Sequence, residues 1–281
     1  MAIFESKSAR RDQAAERVRA DSHQQPVNAE ITMSQPTRRE ILQLAAVMGV
    51  SHLLKGCTMA EDKKDQMSTL SSALVIPDSL LAKEVTGILR EYSIDLLFNH
   101  SMRVYLFAVE QGRQQKLRFD PELLYVAAAF HDLGLTKKFS SQNERFEVDS
   151  ANAARQFLTA HKVPEEQVQT GWEAIALHTT PGVTQYMRPE VALLYSGVGL
   201  DVLGKGFDQF PSELRDEIVA KYPRKNFKED FVKAYFAGFA HKPGTTYGTV
   251  NAGVVECFIP GYKSPNACDL IAASPFPDSP S

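Results

Sequence analysis

The dipeptide His131-Asp132 closes the run Leu123-Leu124-Tyr125-Val126-Ala127-Ala128-Ala129-Phe130, a segment apolar on every side that reads as a buried helix. An unpaired carboxylate left there would cost several kcal/mol, and a bound cation is an economical way to satisfy it. A second histidine, His100, lies upstream within Asp95 to Tyr105, and an aspartate, Asp201, lies downstream in Gly197-Val198-Gly199-Leu200-Asp201. The series reads H…HD…D. Two imidazoles and two carboxylates without a thiolate suit Zn(II) or Fe(II), accommodate Mn(II), and leave coordination positions open to water or substrate.

Other polar residues stand near these four in the chain. His178 ends an apolar helical stretch and precedes Thr179-Thr180-Pro181-Gly182, a turn that could line a cleft. It reads as a proton-relay residue or as a structural cap. Glu147 and Asp149 could orient a ligand or a substrate amine, and Asp149 reads equally well as the N-cap of the helix that begins at Ser150. His161 sits in Leu158-Thr159-Ala160-His161-Lys162, at a helix C-terminus, where it serves the helix dipole rather than a metal. Arg103, Lys137, Lys138 and Arg145 read either as a cationic clamp for a phosphate-bearing substrate or as a solvated helix face.

Helices must position these side chains. Leu80, Leu81, Val85, Ile88 and Leu89 form one apolar stripe at helical spacing, and Leu96, Leu97, Val104, Phe107 and Ala108 form the next. Asp120-Pro121-Glu122 supplies an N-cap, a first-turn proline and an acidic residue ahead of Leu123. Pro164-Glu165-Glu166 starts a helix that runs to His178, and further helices cover Pro189 to Leu203, Pro211 to Lys221 and Phe227 to Phe239. Strand alternation, a βαβ rhythm and internal repeats are all missing, so the fold class is all-α. The proline-rich stretch from Ile259 reads as a wrapping or mobile tail.

At 281 residues with 43% hydrophobic content, the chain has enough apolar material for one packed domain with an N-terminal appendage. A net charge of -3 and a pI of 6.2 give no electrostatic footprint for nucleic acid or an anionic membrane, so the expected partner is a small-molecule substrate. An oligomer is as compatible with the composition as a monomer. Cys57, Cys257 and Cys268 show no CxxC spacing and argue against a disulfide scaffold. Cys257 and Cys268 form one bridge in an oxidising compartment or stay as two thiols.

The N-terminal segment carries its own signals. Residues 1–35 are polar and read as disordered or as an overextended gene start, with Met33 an alternative first residue. Arg38-Arg39 then precedes an apolar stretch to Leu54 that resembles a twin-arginine export signal and is too short for a permanent membrane span. Leu53-Leu54-Lys55-Gly56-Cys57 looks like a lipoprotein processing box, with Lys55 departing from the small residue usual there. A short amphipathic helix is the alternative. The first reading makes the protein exported, periplasmic or anchored through lipid on Cys57; the second leaves it cytoplasmic. The expected organisation is residues 1–57 as extension and signal, 58–77 as linker, 78–240 as the domain and 241–281 as a C-terminal extension.

On His100, His131-Asp132 and Asp201, residues 78–240 resemble the HD-domain metal-dependent hydrolase superfamily. Within it, Asn99-His100-Ser101-Met102-Arg103-Val104-Tyr105, Phe146-Glu147-Val148-Asp149 and Ala176-Leu177-His178-Thr179-Thr180 look like the cyanamide hydratase-like branch. The resemblance implies an HD-type helical bundle with His100, His131, Asp132 and Asp201 as ligands of one divalent metal. It implies hydration of a small nitrile such as cyanamide to urea; the candidate catalytic residues are Asp132 and His178, and the candidate substrate contacts are Arg103, Lys137, Glu147 and Thr179. No GYP tripeptide follows the HD pair, which disfavours the cyclic-dinucleotide phosphodiesterase branch. Two alternatives stay open: a phosphohydrolase acting on a nucleotide or small phosphate ester, and a non-catalytic, metal-stabilised binding module.

Overall fold

A computed structural model describes residues 74–276. The readings at Arg38-Arg39 and Cys57 lie outside the described residues. Ten α-helices follow one another there: α1 Leu80–Tyr92, α2 Asp95–Gln114, α3 Pro121–Phe130, α4 Phe146–Ala160, α5 Glu165–Leu177, α6 Pro189–Leu203, α7 Ser212–Lys221, α8 Phe227–Phe239, α9 Asn251–Phe258 and α10 Ala267–Ala272. Among the described residues there is no strand, and no helix is long and apolar enough to cross a membrane.

The bundle is built around α3. Every residue from Leu123 to Phe130 is buried, and α1, α2, α4, α5 and α6 all pack on this one short helix. Its start is set by Asp120, whose carboxylate accepts from the backbone N–H groups of Glu122 and Leu123 at 2.9 and 3.1 Å, with Pro121 in the first turn. That satisfies two of the donors an α-helix leaves unpaired at its N-terminus. The helix ends at Phe130, so the last turn of the most apolar element carries His131 and Asp132 into the middle of the protein.

Helices α2 and α6 pack together along much of their length. Gly197 makes this approach feasible, since a Cβ there would stand 2.5 Å from the carbonyl oxygen of Val104. The pairing brings Asp201, near the end of α6, level with His100 on α2.

Two segments differ from the expectation. Helix α4 begins at Phe146, so Asp149 lies inside its first turn and is not its N-cap. The Asp149 carboxylate instead accepts from the Ser141 N–H at 2.9 Å and pairs with the buried ammonium of Lys242. Beyond residue 240 the chain folds back: a turn at Pro243–Thr246 leads into α9, with Lys242, Thr246, Asn251 and Val255 buried. This stretch lacked a long periodic pattern because α9 has only eight residues and packs in a small cluster with Phe146 and Phe239, apart from the main core. Cys257 and Cys268 are exposed and unpaired.

Candidate metal centre

His100 projects from α2, and His131 and Asp132 from the end of α3. All three are buried, and each offers a ligand atom within 4.8 Å of the others. His100 Nε2 and His131 Nε2 are 3.1 Å apart, with Asp132 Oδ2 at 3.5 and 3.4 Å from them. Behind the pair, Gly134 turns the chain against α4; its N–H reaches Ser150 Oγ at 2.7 Å, and a Cβ would stand 2.1 Å from the Phe146 carbonyl.

The opposite edge of each ring settles its tautomer. His100 Nδ1 faces Asp201 Oδ2 at 2.6 Å, His131 Nδ1 faces the Ala128 carbonyl at 2.7 Å, and His178 Nδ1 faces the Ile175 carbonyl at 2.6 Å. A carbonyl or ionised carboxylate only accepts, so each Nδ1 carries the proton and each Nε2 of a neutral ring presents a lone pair. Burial pushes the His131 imidazole down to about 3, which keeps that ring neutral near pH 7. Asp132, which burial alone would raise, is held well below the usual carboxylate range by the imidazoles of His131, His178 and His100.

With the two rings neutral, two nitrogen lone pairs and an ionised oxygen converge. Asp132 Oδ2 is buried and without a hydrogen-bond partner. Such an arrangement is costly as it stands and is satisfied by a cation. Imidazole nitrogen with carboxylate oxygen is also the donor set that a first-row divalent ion takes. The residues fit a metal.

Asp201 is not brought into this cluster. It lies on the Nδ1 side of His100, away from the convergent Nε2 atoms. Both its oxygens are used: Arg103 donates from Nε to Oδ1 at 2.8 Å and from Nη2 to Oδ2 at 2.9 Å, and Arg224 Nη1 reaches Oδ1 at 2.6 Å. Burial would raise this carboxyl, but His100 and Arg103 hold it well below the usual range. Asp201 instead faces the far side of the His100 ring, the position from which a carboxylate commonly orients a metal-binding imidazole.

Arg103 and Lys137 also stand away from the expected substrate site. Arg103 is fully buried, and its remaining donors go to the Tyr222 and Pro223 carbonyls. Lys137 is exposed and lines a separate cavity with Gln142 and His241. His161 lies at the C-terminal end of α4, its Nδ1 on the Phe157 carbonyl at 2.8 Å and its Nε2 on Glu84 at 2.9 Å.

His178 and Thr179 do face the cluster. His178 Nε2 is 3.6 Å from Asp132 Oδ1, and its ring meets that of His131 edge-on. A cavity of about 360 Å³ opens here, with His100, Asp132, His178 and Thr179 as its polar wall. Thr179 donates to Glu147 Oε1, which also accepts from Asn251 Nδ2 at 3.0 Å and Arg145 Nη2 at 3.1 Å. Glu147 thus sits behind Thr179; burial would raise its carboxyl, but Arg145, His178 and Thr179 hold it below the ordinary value. Tyr235 closes the network, its hydroxyl donating to Asn251 Oδ1 at 2.6 Å.

Tyr235 and Asn251 are site residues that the sequence reading passed over. A signal for the first was present: Phe227, Phe231, Tyr235 and Phe239 recur every fourth residue on α8, the first three stacked in succession and Phe239 edge-on to Tyr235. That stripe lies on the site, with Phe231 4.9 Å from the His100 ring and Tyr235 5.3 Å from Phe146. Asn251 had no comparable signal.

Residues 97–220 match the family model described as HD domain. The match runs from α2 to α7 and takes in His100, His131-Asp132, His178 and Asp201. The match supports an HD-type domain over this segment, and the buried His-His-Asp cluster within it fits a metal ion. No curated protein matches the chain.

Proposed function

We propose that the chain is a metal-dependent hydratase that adds water across the C≡N bond of a small uncharged nitrile, of which cyanamide is the simplest. The observation that carries this reading is the pairing of the cluster with His178 in a cavity whose lining holds a single cation among the described residues, Lys205, itself hydrogen-bonded to the Tyr195 hydroxyl. A phosphate monoester calls for a cationic clamp, and Arg103 and Lys137 are engaged or located elsewhere.

One divalent ion, Zn(II) or Fe(II) with Mn(II) as a third option, held by His100, His131 and Asp132, would supply the Lewis acidity that makes water nucleophilic near neutral pH. His178 is held by the Ile175 carbonyl with Nε2 toward Asp132, so it can take a proton from the attacking water and pass it to the nascent nitrogen. The water oxygen bonds to carbon, both protons end on nitrogen, and the product is an amide, urea in the case of cyanamide. Thr179, fixed by Glu147 and Asn251, offers its hydroxyl oxygen as an acceptor to a substrate N–H. The apolar wall opposite limits access of bulk water.

The test is product analysis of the full chain loaded in turn with zinc, iron and manganese and offered cyanamide, acetonitrile and a panel of phosphate esters. Amide formation is expected. Hydrolysis of a phosphate ester with the nitriles untouched would overturn the hydratase reading.

A further inference from the structure

The cavity beside the cluster is larger and more apolar than cyanamide requires. Its 360 Å³ falls within the roughly 300–1,000 Å³ typical of sites for whole small molecules. Opposite the polar wall it is lined by Val198, Val202 and Leu203 from α6, Phe231 and Val232 from α8, and Val254 from α9. A three-heavy-atom polar substrate would touch little of this surface.

The α8 and α9 side is held in place independently of any ligand. Asn251 bonds Glu147 and Tyr235, and the buried Lys242–Asp149 pair fastens the chain between the two helices to α4. Breaking a buried ion pair leaves an uncompensated charge, so this fastening resists opening. Both helices lie beyond the matched residues 97–220. Half of the named apolar wall, Phe231, Val232 and Val254, is therefore supplied by chain outside the HD match.

We propose that the substrate is an uncharged molecule with an apolar alkyl or aryl body, seated against Val198, Val202, Phe231, Val232 and Val254, with its reacting group turned to Asp132 and His178. The α8–α9 segment selects for that body. The inference rests on the hydratase reading for the identity of the reacting group as a nitrile. Each methylene transferred from water to this wall strengthens binding by about fourfold.

The test is calorimetric titration of the metal-loaded full chain with the straight-chain series from acetonitrile to hexanenitrile, with hexanoate as the charged control, alongside turnover of each nitrile and of cyanamide. Affinity is expected to rise about fourfold per methylene, with hexanoate far weaker than hexanenitrile. Val254→Asp is expected to abolish the chain-length dependence with metal content unchanged. Val250→Asp repeats the test at the exposed mouth of the cavity, where folding is not at stake. A flat series, or hexanoate binding as tightly as hexanenitrile, overturns the inference; if cyanamide is nevertheless hydrated, the hydratase reading stands without it. A rising series in which no nitrile is turned over keeps the apolar-body inference and removes the hydratase reading.

Discussion

His100 Nδ1 donates to Asp201 Oδ2 across 2.6 Å, and this contact engages the last member of the His…His-Asp…Asp series on the side of the ring away from His131 and Asp132. It fixes the His100 tautomer, aims Nε2 at His131 and Asp132, and spreads the carboxylate's charge over two guanidinium groups.

Asp201→Asn removes that charge while keeping the shape. Metal affinity should fall about tenfold to a hundredfold, the usual cost of losing the group behind a ligand histidine. The buried Arg103 would also lose its partner, at about 3–5 kcal/mol of stability. Calorimetric metal titration and urea denaturation measure the two effects. An unchanged metal affinity in a destabilised protein would separate Asp201 from the metal centre.

The neutral, buried His131 makes the metal-free protein sensitive to acid in a defined window. Its folded pKa of about 3 lies below the unfolded value of about 6.5. Between those values the unfolded chain binds a proton that the folded one does not, so stability is full above about pH 6.5 and declines as pH falls toward 3. His161 pulls the other way, its pKa raised by the Phe157 carbonyl and Glu84, so the measurement belongs in a His161→Ala background. The urea midpoint of the metal-free protein should be lower at pH 5 than at pH 7. An equal or higher midpoint at pH 5 would show that His131 is not held neutral by burial.

What was legible in the sequence was whatever depended on local pattern. The all-α class, the Asp120-Pro121 start of α3 and the bounds of α6 and α8 follow from apolar periodicity, caps and first-turn prolines. His131-Asp132 stood out because polar groups at the end of an apolar helix demand a partner. The contact between Arg103 and Asp201 was not legible, because the two residues lie 98 positions apart and meet only when α2 packs on α6. The same holds for Asn251, which reaches Glu147 across 104 positions. Lys137 illustrates the converse: it is near the HD pair in sequence, yet it lies on the surface beyond the turn at Leu133–Leu135.

Gly197 sets the distance between the helices that carry His100 and Asp201. Gly197→Ala would push a methyl group against the Val104 carbonyl, a backbone atom that cannot swing aside. Overpacking of this kind costs about 1–3 kcal/mol. A lower melting temperature accompanied by weaker metal binding is expected. A variant as stable as the parent would mean that the two helices separate without penalty.

His178 is assigned a proton, not a ligand bond. His178→Gln should lower turnover of the best nitrile by about a hundredfold to ten-thousandfold while bound metal stays at the parent level. Loss of metal along with activity would make His178 a ligand instead.

The most direct measurement is metal stoichiometry by elemental analysis after equilibration with a slight excess of Zn(II) and gel filtration, comparing the parent with His131→Ala, Asp132→Ala and His161→Ala. The parent and His161→Ala are expected to retain one ion per chain, and the first two variants close to none. A folded His131→Ala protein that retained a full equivalent of metal would contradict the assignment of His100, His131 and Asp132 as the metal centre.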